Sequence, residues 1–470
     1  MASEERSMNA NMLSQERCAE IFDRVRRAAP DLDLEVTLAG GHSALTRWAN
    51  NGITQNVREE GCEVSVRAQM GGRTARATTN LLDDDGLRDV VRRAEALARV
   101  QEEDEDLLPM LAAAEAGESA VLERFDDATA VLGAGERASQ VDAMVQVARR
   151  EGLNSAGAYS NGAQFEAIFN SRGVARWHQE SFAEASVTMQ GDDSSGWQKR
   201  NYTRAAEVDA RAMAEIAAEK ARRSARPIEV PPGKYTVILE PSAVADLLGF
   251  LAADFSGLAL LEQRSCLHGR LGARLFGENI TIVDDCAAAG QTGAAFDGEG
   301  QARQPLTLVE RGTVKDVAMA RATAARMAKS EWAGKLKTQP TGHGLSLPNE
   351  SGEAAVNIVF QVAEGAAKSV EEMVAATGRG LLVTRLWYIR EVDAYEKMLT
   401  GMTRDGTFLV ENGRVTAGVR NLRFNQSVLK LLQSVLDLGR PGRACGEESF
   451  NMVAPAMRAE GFQFTEVTRF

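Results

Sequence analysis

Residues 50–77 read NNGITQNVREEGCEVSVRAQMGGRTARA. Three glycine-bearing dipeptides punctuate this stretch: Asn51-Gly52, Glu60-Gly61 and Gly71-Gly72. Asn-Gly is a strong hairpin signal because both residues tolerate positive φ. Between the turns, Glu63-Val64-Ser65-Val66-Arg67 alternates polar and apolar, as a half-buried strand does. The spacing predicts four antiparallel strands divided by these turns, after a short strand over 32–38. Upstream, residues 14–29 predict a helix with Ser14 as N-cap and Glu16 in the first turn, where the helix dipole favours negative charge. Downstream, Asp83-Asp84-Asp85 precedes an amphipathic helix over 86–100. Three adjacent carboxylates could ligate a metal, but their place before a helix fits capping and dipole neutralisation better. The acidic run 101–106 reads as a solvated linker.

The same order then recurs. Residues 135–151 predict a helix with Val141, Met144, Val145 and Ala148 on one face. Hairpin signals follow at Asn161-Gly162, at 171–173 and at 191–196, and a further helix is expected over 208–223. Helix then meander, twice over, predicts two related units (about 14–100 and 120–226) that share one sheet or stack together. Prolines at 227, 231 and 232 mark a boundary between an N-terminal domain, 1–226, and a second domain, 233–470. In the second, a strand at 235–239 leads into a helix from Ser242, and a later strand ends at Asp284-Asp285. Strand signals dominate the remainder, with a hairpin across Glu411-Asn412-Gly413. The expected class is α+β: helix-plus-meander units, then a mainly antiparallel β domain with flanking helices.

Composition narrows the function. The formal charge is −12, which works against nucleic-acid binding driven by Lys and Arg on phosphates, and no basic stripe offsets it. An anionic membrane surface is disfavoured for the same reason. Five cysteines without a CxxC pair argue against a disulfide framework or a zinc knuckle and fit a reducing cytoplasm. The polar N-terminus predicts no signal peptide. The apolar stretch 243–261 carries Asp246 and Asp254, each costly at a bilayer centre, so it reads as a buried helix rather than a membrane span.

A search for chemistry finds little. The four histidines, His42, His178, His268 and His343, lie far apart, and HExxH, GxSxG, Walker A and Rossmann signatures are absent. Asp284-Asp285 and Asp297-Gly298-Glu299-Gly300 could supply acid/base groups or hard-metal ligands; turn formation explains them more simply. His343, in Thr341-Gly342-His343-Gly344, reads as a turn residue.

Several stretches, in order along nearly the whole chain, resemble the TldD/PmbA (TldE) family of zinc-dependent peptidases and their partner subunits. They are 50–56 and 71–77, then Arg264-Ser265 leading to Leu271-Gly272, then Ile282-Val283-Asp284-Asp285, Phe296-Asp297-Gly298-Glu299-Gly300, and 405–413. Catalytic members resemble this chain up to the helix after Leu239-Glu240-Pro241, where they carry His-Glu-x-x-x-His. The two histidines and a distant cysteine bind zinc, and the glutamate activates water. Laid on this sequence through Leu247-Leu248, the first histidine position is Gly249, the glutamate position is Phe250 and the second histidine position is Asp254. Glycine offers no ligand and phenylalanine takes no proton. Cys445 is the candidate counterpart of the cysteine ligand, although its spacing to Pro455 is short for the family.

The resemblance therefore implies a PmbA/TldE-type subunit: a pseudoenzyme with no metal of its own. It implies a hetero-oligomer with a TldD-like catalytic subunit that bears His-Glu-x-x-x-His and the zinc, acting on unstructured peptides. Such peptides could lie along a strand edge. Two alternatives stay open. One is a self-sufficient hydrolase whose atypical metal site gathers Asp254, Cys445 and His268 or His343. The other is a regulatory binding protein without a proteolytic role, in line with the family's association by name with DNA gyrase modulation.

Overall fold

The structure, a computed structural model, describes residues 12–468. Helix α1 (Gln15–Ala28) starts at Ser14, whose side chain accepts a hydrogen bond from Arg17 N. It leads into β1 (Asp33–Ala49), β2 (Gly52–Met70), β3 (Arg73–Thr79) and helix α2 (Asp84–Val100). Asp83 caps α2 by accepting from Gly86 N at 2.7 Å, while Asp84 and Asp85 pair with Arg24 and Arg88. The triplet is thus a cap with two surface ion pairs.

The second unit repeats the first: α3 (Ala134–Arg150), β4 (Asn154–Asn170), β5 (Ala175–Gln190), β6 (Ser195–Tyr202) and α4 (Ala210–Arg223). The six strands form one antiparallel sheet in the order β3-β2-β1-β4-β5-β6, so the two units share a sheet across the β1–β4 pair. The strands are longer and fewer than the turn signals predicted. Glu60-Gly61 lies inside β2 with Gly61 opposite Gly41, and Asn161-Gly162 lies inside β4 with Gly162 opposite Ser43. At Gly162 a Cβ would stand 2.2 Å from the His42 carbonyl oxygen, so this glycine answers to a close approach across the sheet rather than to a turn.

Alternation along the strands sorts the two faces of this sheet. Leu34, Val36 and Leu38 of β1 pack under α1 and α2, and Ala183, Ala185, Val187 and Met189 of β5 pack under α3 and α4. The opposite face is polar. Glu35 lies there, buried between Arg67 at 2.8 Å and Arg76 at 2.7 Å. This face looks toward the C-terminal region.

That region contributes β7 (Gly233–Leu239), β8 (Thr281–Asp284), β9 (Leu306–Glu310), β10 (Thr313–Val314), β11 (Ile358–Gln361), β12 (Arg379–Asp393) and β13 (Met398–Glu411). After these come β14 (Arg414–Gly418), β15 (Leu422–Ser427), β16 (Val435–Leu438), β17 (Gly442–Ala444), β18 (Met452–Ala454) and β19 (Met457–Val467). One sheet runs β12-β7-β19-β15-β13-β14, and an added β12–β13 pairing closes its first five strands on themselves. A second sheet runs β10-β9-β8-β11-β18-β17. Most pairings are antiparallel, with β7–β12 and β11–β18 parallel. The hairpin at 411–413 turns through Asn412 and Gly413, both at positive φ.

Helix α5 (Pro241–Ala252) follows β7 and packs against β12 on one side and β17 and β18 on the other. A helix that is apolar on all sides must be enclosed, and this one is. The single long helix expected over 243–261 is broken: α5 ends at Ala252, and a short helix, Gly257–Leu261, restarts with Ser256 as cap. Among the described residues, no helix is long and apolar enough to cross a membrane.

Candidate functional site

The last turn of α5 and the break beyond it carry the three motif positions. Gly249 faces the 445–450 loop, and a Cβ built on it would come 2.6 Å from Ser449 Cβ. The loop fills the space a histidine would need. Phe250 is half-buried against the core of the C-terminal region. Asp254 sits in the helix break, where its carboxylate meets Lys397 Nζ at 2.5 Å and accepts from Cys266 N at 2.7 Å.

Cys445 opens the loop that covers Gly249 and is buried. Burial first, and the nearby Glu184 second, push its thiol up to about 11, so it is a thiol rather than a thiolate at neutral pH. A zinc ion needs nitrogen, thiolate or carboxylate donors closing on one point. Here glycine gives none, the aspartate is ion-paired, and Cys445 alone offers a sulfur donor. These residues do not fit zinc. Among the described residues, no group of three or more His, Cys, Asp or Glu side chains is placed to hold a metal ion.

One turn before Gly249 lies Asp246, which is fully buried. It accepts from Glu448 N at 2.8 Å and from Ser449 Oγ at 3.4 Å, tying the loop to the helix. Burial pushes its carboxyl up to about 7, against the lowering effect of the loop amides. The same loop is fastened outward, since Glu447 faces Lys199 and Arg385, and Glu448 accepts from Tyr388 N.

The other predicted residues are dispersed. His343 contacts Asp284 at 3.0 Å, with both side chains inaccessible to solvent. Burial alone would raise Asp284, but His343 and the Asn357 amide hold it below the usual carboxylate range. Asp285 caps its own turn through Ala287 N. Asp297 accepts from the amides of Glu299, Gln301 and Gly344, and Glu299 pairs with Arg321 at 3.1 Å. The glycine-rich loop is therefore held together by its own carboxylates. His42 Nε2 donates to the Ala130 carbonyl, 2.7 Å away, and His268 packs edge-on to Trp332.

What the sequence did not single out is a cleft between the polar face of the six-stranded sheet and the loops of the C-terminal region. Two adjoining cavities of about 690 and 780 Å³ form it and share Ala39, Glu166 and Gly293. Gly446, Ser449 and Phe450 close one end, so the cleft runs up to the loop over Gly249. Glu166 stands on its sheet wall and Arg303 on its loop wall. An acidic residue in an apolar helix was a legible sign of Asp246; a glutamate within an alternating strand gave no sign of Glu166.

Known proteins resemble the chain as follows. Residues 232–466 match the model described as the PmbA/TldA metallopeptidase C-terminal domain, and residues 34–98 match PmbA/TldA metallopeptidase domain 1. A protein of Methanothermobacter thermautotrophicus named a metalloprotease is 24% identical over 231 residues, which are 47% of this chain and 46% of that one. An uncharacterized protein of Methanocaldococcus jannaschii is 32% identical over 162 residues, 34% of this chain and 38% of its own length. The chain thus spans less than half the length of these curated relatives. Among solved structures, TldE from Thermococcus kodakarensis superposes with a TM-score of 0.83 at 17% identity, covering 95% of this chain and all of that one. At that identity the likeness speaks for the fold.

Proposed function

Because the chain belongs to the PmbA/TldD metallopeptidase family, we propose that it is the non-catalytic, TldE/PmbA-type subunit of a zinc metalloprotease complex. In this reading a TldD-type partner supplies the zinc and the water-activating glutamate, and the complex cleaves unstructured peptides in the cytoplasm. The observation that carries the reading is the turn at 249–254. Its first ligand position is a glycine with Ser449 against it, its acid position is Phe250, and its last is an aspartate already neutralised by Lys397. Zinc-bound water becomes a nucleophile near pH 7 only inside a complete shell of protein ligands with one open position.

The test is metal analysis of the purified chain, alone and after co-expression with a relative that carries His-Glu-x-x-x-His. The lone chain is expected to hold far less than stoichiometric zinc and to leave an unstructured peptide intact, while the co-purified pair holds zinc and cleaves it. Stoichiometric zinc together with cleavage by the lone chain would overturn the proposal.

A further inference from the structure

The cleft beside the 445–450 loop has three properties that belong together. Small residues form part of its lining, Ala39, Gly40, Gly41, Gly61 and Ala163 of the sheet at one end and Gly293, Ala294 and Gly298 of the opposite loops at the other, set among larger side chains such as Phe165, Phe182 and Phe450. Patches of small side chains let another main chain lie close. Its two cavities adjoin at Ala39, Glu166 and Gly293, and each is larger than a single small amine needs.

The third property is charge. Glu166 is open to the cleft and, among the described residues, accepts only from Ala294 N at 3.2 Å, through one of its two oxygens. Arg303, across the cleft, donates from Nε to the Phe296 carbonyl, and its Nη1 has no partner. The two are near enough to influence one another, yet among the described residues neither makes an ion pair. Elsewhere on this face the charges are matched: Glu35 by Arg67 and Arg76, Glu184 by Lys199, and Glu180 by Gly293 N and Gln164. Glu59 and Glu60 add negative charge at the Glu166 end. His178, buried beside Glu180 with its Nε2 lacking a hydrogen bond, lines the same end.

We infer that this cleft binds an extended peptide, with Glu166 receiving a protonated amine of the peptide and Arg303 receiving a carboxylate or carbonyl oxygen. The amine is an N-terminal ammonium or a lysine side chain; the chemistry at Glu166 is the same. The inference rests on the proposed function only for its choice of a peptide as the ligand. It assigns to this chain a holding site of its own, apart from the zinc of a partner.

Isothermal titration calorimetry on the purified full chain tests it with three short, unstructured peptides of one Ser/Ala/Gln-rich sequence. One has a free N-terminus and no lysine, one is N-acetylated with a single internal lysine, and one is N-acetylated without a cation. At least one amine-bearing peptide is expected to bind about tenfold tighter than the cation-free peptide, the size of one charge-assisted hydrogen bond. Whichever of the two does so identifies the source of the amine. Glu166→Gln is expected to erase that preference, and Arg303→Gln to weaken peptides with a free C-terminal carboxylate more than their amidated versions. Equal affinity for all three peptides, no binding of any, or a preference that survives Glu166→Gln would overturn the inference. The acetylated arm needs no variant, so misfolding cannot shield it. Zinc content and co-purification decide the accessory role separately, so either idea can fall while the other stands.

Discussion

Two polar spots adjoin one another inside this molecule, and they are built on opposite terms. At the 249–254 turn and the helix turn before it the groups are enclosed: Asp254 meets Lys397, Asp246 accepts from the Glu448 amide through one oxygen while its other oxygen is buried without a hydrogen bond, and Ser449 fills the space beside Gly249. In the cleft next to it, Glu166 and Arg303 face a shared cavity without pairing. A low-dielectric interior penalises an unmatched charge heavily, so the enclosed spot pairs Asp254 with Lys397 and pushes Asp246 toward its neutral form. Glu166 is exposed in the cleft, so its charge can remain unmatched and available. The difference teaches that a surviving constellation of acidic and basic residues is no guide to activity until its partners are counted.

The comparison breaks most sharply at Lys397. Lys397→Met leaves the Asp254 carboxylate buried without its cation, and such a loss typically costs about 3–5 kcal/mol. Urea unfolding of the full chain should register a fall of that order. Asp254→Leu combined with Lys397→Met should recover most of it, because the two effects are coupled through one contact. A single-variant loss below about 1 kcal/mol would mean the pair behaves as a solvated surface bridge, and the enclosed spot would no longer differ from the cleft.

Asp246 sharpens the comparison through pH. Its carboxyl lies at about 7 in the folded chain, against an ordinary 3.8. Between those values the folded state holds a proton that the unfolded chain releases, so the stabilisation is complete below about pH 4 and is lost as pH rises through about 7. The loss is on the order of 4 kcal/mol in total. Asp246→Asn keeps an acceptor for Glu448 N and removes the titration. Its unfolding free energy should be flatter than wild type between pH 5 and 7, measured by urea unfolding across that range. Parallel pH profiles for the two proteins would show that Asp246 is ionised throughout, and that the helix turn tolerates a charge after all.

Much of the fold was legible because local chemistry decided it. Ser14 and Asp83 cap the helices they were expected to cap, and the helix-then-meander order recurs as two units in one sheet. The failures share a cause. Gly61 and Gly162 read as turns, yet each lies within a strand, at positions where the neighbouring strand crowds or mirrors them; only the register of β1 against β2 and β4 reveals that. The break in the 243–261 stretch was hidden because the turn at Asp254 is held by Lys397, more than a hundred residues away in sequence. The site was legible as a vacancy at Gly249 and Phe250, whose chemistry is plain from their side chains. That Ser449 closes over Gly249, and that Glu166 meets Arg303 across a cavity, depends on contacts between distant segments that no spacing encodes.

The smallest expected effect is the most discriminating one. Glu166→Gln removes a carboxylate that is exposed in the cleft but pushed above its usual range by desolvation from the surrounding walls, offset only in part by His178 and Arg303. A group raised in this way adds nothing to stability at neutral pH, where it is being asked to ionise in poorer surroundings than the unfolded chain provides. The substitution keeps the shape and the acceptor for Ala294 N. Urea unfolding at pH 7 should therefore differ from wild type by no more than about 0.5 kcal/mol, as for an ordinary surface change. The direction matters as much as the size: a slight gain fits a carboxylate kept for a ligand at some expense to the empty fold. A loss above about 1 kcal/mol would instead mark Glu166 as a brace for the Gly293–Ala294 loop. The cleft would then be a seam between two parts of the chain, satisfied like the turn at 249–254.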